Sequence, residues 1–202
     1  MKKLKLSEHR GRKMVINLLG KGDGWDDINK IVDKPVEERG EIWGVNDAFL
    51  RTKCEKTFHM HDLNVWEKRK ESESSTKLII DHVKDHPDME FFTTVPYPKI
   101  PQAKVYPLEE IVNYFNDNYF TNGISYIIAY ALWKGVTVFN LYGVNMSVEI
   151  EYVNQKPNVE YWLGRAKGMG VQVNPQWQYT SLFKSKDGLM YGYFFDQYKI
   201  GD

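Results

Sequence analysis

Two short runs do most to restrict what this chain can fold into: Met14-Val-Ile-Asn-Leu-Leu and Thr137-Val-Phe-Asn-Leu-Tyr, each followed by a glycine. A strand with one wet face alternates apolar and polar residues. A run that is apolar nearly throughout suits a strand covered on both faces. Such strands belong to parallel sheets, because the crossovers that join parallel neighbours lay helices on both sides.

The rest of the chain fits that frame. Residues 25–32 carry apolar side chains at 25, 28, 31 and 32, which predicts a helix, with Pro35 as its stop. Residues 41–46, 56–61 and 89–94 read as further strands, and 72–83 as a helix with a polar outer face. Residues 95–107 hold four prolines and read as an irregular connection. A helix follows over 108–115; Thr121-Asn-Gly-Ile-Ser then precedes an apolar helix through Trp133, and a further helix over 158–168 leads to a short strand at 171–173. Gly135 lies where a left-handed residue ends a helix. Residues 180–195 alternate around Lys186-Asp-Gly188 and predict a hairpin. The expected fold is α/β: a three-layer Rossmann-like domain over residues 1–202, with a mostly parallel central sheet and a C-terminal hairpin.

Charge and cysteine usage narrow the function classes. Lys plus Arg equals Asp plus Glu at 27 each, so no global field draws the chain to nucleic acid or an anionic membrane. The basic stretch 66–70 reads as a solvated helix face. The single Cys54 fits a reducing compartment. No apolar core of a signal peptide follows the basic start, and residues 124–133 are too few to span a bilayer. A cytoplasmic protein without a membrane partner is expected.

In open parallel sheets, ligands bind beyond the carboxyl ends of the strands, so polar breaks there are candidate site residues. Gly20-Lys-Gly-Asp-Gly24 follows the first strand. Bare backbone there lets N–H groups approach a phosphate at a helix N-terminus, or simply makes a tight turn. Asn46-Asp47 ends the second strand, where Asn46 can bond a ribose or base edge, or cap a helix. His59-Met-His61-Asp62 ends the third. Positions 59 and 61 share a strand face, but no further ligands complete a metal set. An acid–base role for His61 or Asp62 and a structural one both fit. Thr121-Asn122-Gly123 offers a second anion cradle or an ordinary cap, and Gly143-Val-Asn145 follows the later buried strand.

Taken in order, GKGDGWDD, EIWGVNDAF, HMHD, TNGISYIIAYALWKGVTVFNLYGVNM and EYVNQKPNVEYWLGRAKGMGVQV resemble two neighbouring families. One is the bacterial sialyltransferase-like group related to the lipooligosaccharide sialyltransferases. The other is the archaeal pterin-pyrophosphokinase-like proteins, and small uncharacterised phage proteins share the arrangement, a likeness that implies the host cytoplasm if the chain is phage-encoded. The likeness spans residues 14–173. It implies that Gly20, Gly22 and Gly24 meet the phosphates of a nucleotide donor and that Asn46 holds its ribose or base. Thr121, Asn122 and Gly123 would line the cleft, with Gly143 and Asn145 closing its far wall. Asp23, Trp25 and Asp47 flank these positions and complete the expected binding set. The Gly-Asn-Gly-Pro-Ser turn of those families is here GKGDG, and their catalytic histidine has no clear match.

The expectation is a transferase using a nucleotide-activated donor, a nucleotide sugar before others. The glycosyl group would pass to an acceptor hydroxyl on a glycan, a small molecule or a modified DNA base. His61, Asp62 and Glu151 are the candidate bases. One alternative is a pyrophosphokinase of the pterin type, needing Mg2+ held by Asp23, Asp26 and Asp47. Another is a nucleotide-binding protein without catalysis. A homo-oligomer is compatible with all three.

Overall fold

The computed structural model describes residues 13–69, 73–148 and 151–184. Among the described residues seven strands are joined mostly through helices. The first half contains β1 (Val15–Leu19), α1 (Val36–Arg39), β2 (Glu41–Val45), β3 (Lys56–His59), α2 (Leu63–Trp66), α3 (Glu73–Asp85) and β4 (Glu90–Thr93). The second contains β5 (Lys104–Val105), α4 (Leu108–Phe115), α5 (Gly123–Trp133), β6 (Val138–Tyr142), α6 (Lys156–Gly168) and β7 (Gln172–Asn174).

All seven strands are parallel, in the order β5-β4-β3-β2-β1-β6-β7. The chain therefore steps outward from β1 to β5, then returns across the sheet to lay β6 on the other side of β1. The reversal between β1 and β6 is a switch point, where adjacent loops leave in opposite directions and open a crevice.

Both faces are covered, which is why β1 is apolar almost throughout. Ile16, Leu18, Trp43, Phe58, Phe92 and Phe139 pack on one side against α4, α5 and α6. Leu19, Ile42 and Phe91 face the other way, against α3 and the segment around Ile28. The first layer is aromatic at its centre: the rings of Phe58 and Phe92 stack 4.7 Å apart, with Trp43 and Tyr130 against Phe58. Trp162 of α6 is fully buried, and its indole N–H donates to the Tyr119 carbonyl at 2.8 Å.

One polar feature runs through the sheet. Asn17, Asn140 and Asn174 are direct neighbours on β1, β6 and β7. Asn174 donates to the Asn140 side-chain oxygen, and Asn140 to that of Asn17, both at 2.9 Å. Asn17 is completely buried and donates onward to the Arg39 carbonyl at 2.7 Å.

Three expectations need correction. The segment after the glycine turn is a six-residue 3-10 helix, Trp25–Lys30, because apolar spacing of three satisfies a 3-10 helix as well as an α-helix. Pro35 begins the short helix α1 rather than ending one, since its fixed φ suits a helix start. The proline-rich connection contains β5, two exposed residues with no burial pattern to announce them. The expected three-layer α/β fold with a mostly parallel sheet is what the structure shows, and among the described residues every strand is parallel. Of the hairpin expected at 180–195, residues 185–195 lie outside the described residues. Among the described residues no helix is long and apolar enough to cross a membrane.

Phe58 is fully buried at the centre of the aromatic layer. Its truncation to alanine is expected to cost about 3–5 kcal/mol, measured as the change in urea unfolding free energy.

Candidate functional site

The loops after β1, β2 and β6 enclose a cavity of about 410 Å³ at the switch point. Residues 20–23, 45–46, 122–124 and 143–148 line it, together with Gln155. The structure thus brings together Gly20, Gly22, Asp23, Asn46, Asn122, Gly123, Gly143 and Asn145, which are distant in sequence. Gly24, Trp25, Asp47, Thr121, His61 and Asp62 stand outside the lining.

Two glycines are required by the approach of one loop to the other. A Cβ on Gly20 would lie 2.3 Å from the Gly143 carbonyl oxygen, and Gly143 itself has φ of +62°. The Gly20 N–H donates to the Tyr142 carbonyl at 2.8 Å, and the Gly22 N–H to the Gly143 carbonyl at 2.9 Å. Gln176 then staples the pair. Its oxygen accepts from the Gly143 N–H at 3.0 Å, and its amide donates to the Gly24 carbonyl at 3.0 Å and to Asp27 at 2.7 Å. Asn145, in the amide orientation that satisfies both of its groups, bonds the Asp23 N–H at 2.8 Å and the Asp23 carbonyl at 3.2 Å. The Gly20, Gly22 and Gly143 amides are therefore engaged within the protein.

An anion in the cavity would instead meet the N-terminus of α5. This helix has eleven residues, and its first positions, Gly123 and Ile124, line the cavity. The leading N–H groups of a helix have no partner inside it and carry its positive dipole end. Asn122 caps the helix by accepting from the Ser125 N–H at 3.0 Å. Asn158 of α6, completely buried, holds this corner: its side-chain oxygen accepts from the Thr121 N–H at 3.0 Å and the Asn122 amide at 3.3 Å. Thr121 turns away, donating to the Asn154 carbonyl at 3.0 Å.

Asn46 is the unusual lining residue. Its backbone is left-handed, with φ of +53°, which costs free energy for any residue with a Cβ. Its side-chain oxygen is buried, with no hydrogen-bond partner among the described residues. A buried acceptor left unpaired costs about 1–3 kcal/mol. Both features fit a residue shaped for a donor that arrives from outside.

The cavity lining carries one cation, Lys21, and one carboxylate, Asp23. Lys21, on its rim, pairs with Asp47 at 2.6 Å. Arg51 lies over the Trp25 ring at 5.0 Å and donates to the Lys21 carbonyl at 3.0 Å, which fixes the base of that loop.

The histidine stretch is arranged differently from expectation. β3 ends at His59, so His61 lies beyond the strand, and the two do not share a strand face. His59 is buried, and burial pushes its imidazole down to about 4. His61 stacks on Trp66 at 4.7 Å. Partial burial lowers its pKa, helped by the positive charges of Arg69 and Lys21 and opposed by Asp47. Asp62 caps α2, accepting from the Asn64 N–H at 2.9 Å. Glu151 opens a π-helical turn, Glu151–Gln155, whose last residue lines the cavity; its side chain lies outside the described residues. Among the described residues no group of three or more His, Cys, Asp or Glu side chains converges on a metal position. Asp47, one of the three carboxylates expected for Mg2+, is held by Lys21.

Lys21, Gln155, Asn158 and Gln176 were missed by sequence reasoning. Lys21 sits inside the glycine turn and is legible there as a cation; the other three act through tertiary contacts without a local signal.

No protein-family model matches the chain, and no curated protein matches it in sequence. Solved structures do match in fold. The sialyltransferase CST-II in complex with a trisaccharide acceptor and CMP is 13% identical, with a TM-score of 0.50 over 83% of this chain and 85% of that one. CstII from Campylobacter jejuni with the substrate analogue CMP-3FNeuAc is also 13% identical, with a TM-score of 0.49 over 83% and 84% of the two chains. The same enzyme with cytidine-5'-monophosphate is 14% identical, with a TM-score of 0.49 over 85% and 82%. At these identities the likeness is one of fold.

Two outcomes follow from this geometry. Gly20→Ala should lower stability by about 1–3 kcal/mol, because the neighbouring atom is backbone and cannot turn aside; thermal denaturation would read it. Between pH 6.5 and pH 4 the unfolded chain protonates residue 59 while the folded chain resists, since its pKa is about 4 when buried. Stability present above pH 6.5 is therefore lost as the pH falls toward 4, by about 3 kcal/mol from this group. Urea unfolding at pH 7 and 4.5 should show a smaller loss in His59→Phe than in the wild type.

Proposed function

We propose that the chain is a transferase whose switch-point cavity holds a nucleotide-activated donor, and specifically a glycosyltransferase taking a nucleotide sugar. The observation that carries this reading is Asn46. An asparagine with left-handed backbone and a buried, unpaired side-chain oxygen lines a cavity of about 410 Å³, beside the N-terminus of α5. That pairing supplies an acceptor for a ribose hydroxyl or base amino group next to donors for a phosphate. Such a cavity is of the size that takes small-molecule ligands. The fold it shares with a sialyltransferase solved with CMP and a trisaccharide acceptor supports the donor class.

Glycosyl transfer needs a base for the acceptor hydroxyl and stabilisation of the departing phosphate. The α5 N-terminus and the Lys21 ammonium are the groups placed for the phosphate. His61 is the better base of the three candidates. Its lowered pKa keeps the imidazole neutral at pH 7, able to accept a proton, and its neighbours Lys21 and Asp47 stand at the cavity rim. Asp62 is committed to capping α2, which leaves it less free to act. Glu151 belongs to the turn that brings Gln155 to the cavity. The acceptor would approach over the ends of β2 and β3, where His61 lies; its class is a glycan, a small molecule or a modified base.

A thermal-shift screen with cytidine, uridine and adenosine nucleotides and their sugar conjugates tests the reading. A ligand at a hundred times its dissociation constant is expected to stabilise by about 2.7 kcal/mol. Asn46→Gly relieves the backbone strain while deleting the amide, so it should fold at least as well and lose the ligand-induced shift. Retention of the full shift in that variant would place the donor elsewhere.

A further inference from the structure

Lys21 is the point at which the cavity touches a second set of charges. It lines the cavity, yet its ammonium lies 2.6 Å from Asp47, which stands outside the lining. The carboxylate is in turn within electrostatic reach of both His59 and His61. The lysine is partly exposed and flexible beyond its carbonyl, which Arg51 anchors at 3.0 Å. The loop backbone is thus fixed while the charged end is free to change partner. An exposed ion pair is worth little by itself, about 0–1 kcal/mol, so a phosphate in the cavity competes easily for the ammonium.

We propose that Lys21 exchanges Asp47 for the phosphate of a ligand in the cavity, and that the released Asp47 carboxylate then acts on His61. This rests on the reading of the cavity as a nucleotide site. Lys21 and Asp47 are then positioning residues for the imidazole, and the exchange ties its basicity to occupancy of the neighbouring cavity. The charged and titratable groups around His61 are Lys21 after β1, Asp47 after β2, His59 at the end of β3, Asp62 beside it and Arg69 beyond α2. Of these, Lys21 and Arg69 disfavour the imidazolium and Asp47 favours it. When Lys21 turns to a phosphate, one opposing charge withdraws and the supporting one loses its counter-ion. Both changes raise the proton affinity of His61.

The test follows the His61 ring resonance by NMR through a pH titration of the full chain, assigned with His61→Gln. Without ligand, the midpoint in Lys21→Met is expected above that of the wild type, and the midpoint in Asp47→Asn below it. The rise caused by Lys21→Met should shrink when Asp47→Asn is added. An equal rise with and without Asp47 would overturn the relay, as would no rise at all. All the substituted side chains are at least partly exposed, so the variants should fold, and thermal denaturation checks this. In a second arm, cytidine monophosphate is added to the wild type, and the midpoint is expected to move up toward that of Lys21→Met. Binding that perturbs the 20–23 amides while leaving the His61 midpoint in place would overturn the exchange but spare the nucleotide reading. No binding would overturn that reading and the ligand-driven exchange with it, while the variants alone still decide whether the ion pair governs His61.

Discussion

The chain must pass very close to itself where β1 and β6 end, and much else depends on that contact. The Gly143 carbonyl occupies the space a side chain on residue 20 would need. The two loops are then joined by backbone bonds and stitched together by Asn145 and Gln176. Parallel neighbours with chain reversal between them would otherwise splay their loops apart. Here the crevice keeps a rigid floor, and Asn46 and the start of α5 stand side by side in its lining. Glycine at these positions is therefore first a requirement of the fold. Any ligand reads a surface that this contact has already shaped.

The electrostatics of the site are local, as the balanced composition demands. Lys21 and Asp47 pair at the rim, and α5 supplies a dipole with no acidic residue in its first turn. His59 and His61 diverge although they are two residues apart. One is sealed in the core and held neutral; the other leans on Trp66 and answers to the charges around it. Cys54 is also buried, and burial with the Glu55 charge pushes its thiol up to about 12, so it stays protonated. Among these groups, His61 alone couples solvent access to an electrostatic link with the cavity rim.

Much of the fold was legible because covered strands and packed helices write burial into local sequence. The runs that became β1, β2, β4 and β6 were each placed to within a residue or two, and α4 to the residue. Failures occurred where burial left no period. β5 is exposed, the 3-10 segment shares its spacing with an α-helix, and α1 is one turn behind a proline. For the site, the loops after strands were legible from Gly and Asn residues, and eight of the residues they pointed to line one cavity. Their partners were not. Nothing near Gln176 or Asn158 in sequence marks them, since each acts on a segment more than 30 residues away. Likewise, the reason Gly20 is bare lies in Gly143, 123 residues further on.

The row of asparagines across β1, β6 and β7 has a consequence for how the sheet assembles. β1 and β6 meet only after more than a hundred intervening residues have been looped out, and parallel pairing of that kind is slow to find its alignment. Shifted by one residue, β6 would turn Asn140 into the aromatic layer with its amide unanswered, and leave Asn17 buried without its donor. The amides thus act as a key that fits a single alignment. The strand that completes the crevice is accepted only when Gly143 arrives opposite Gly20.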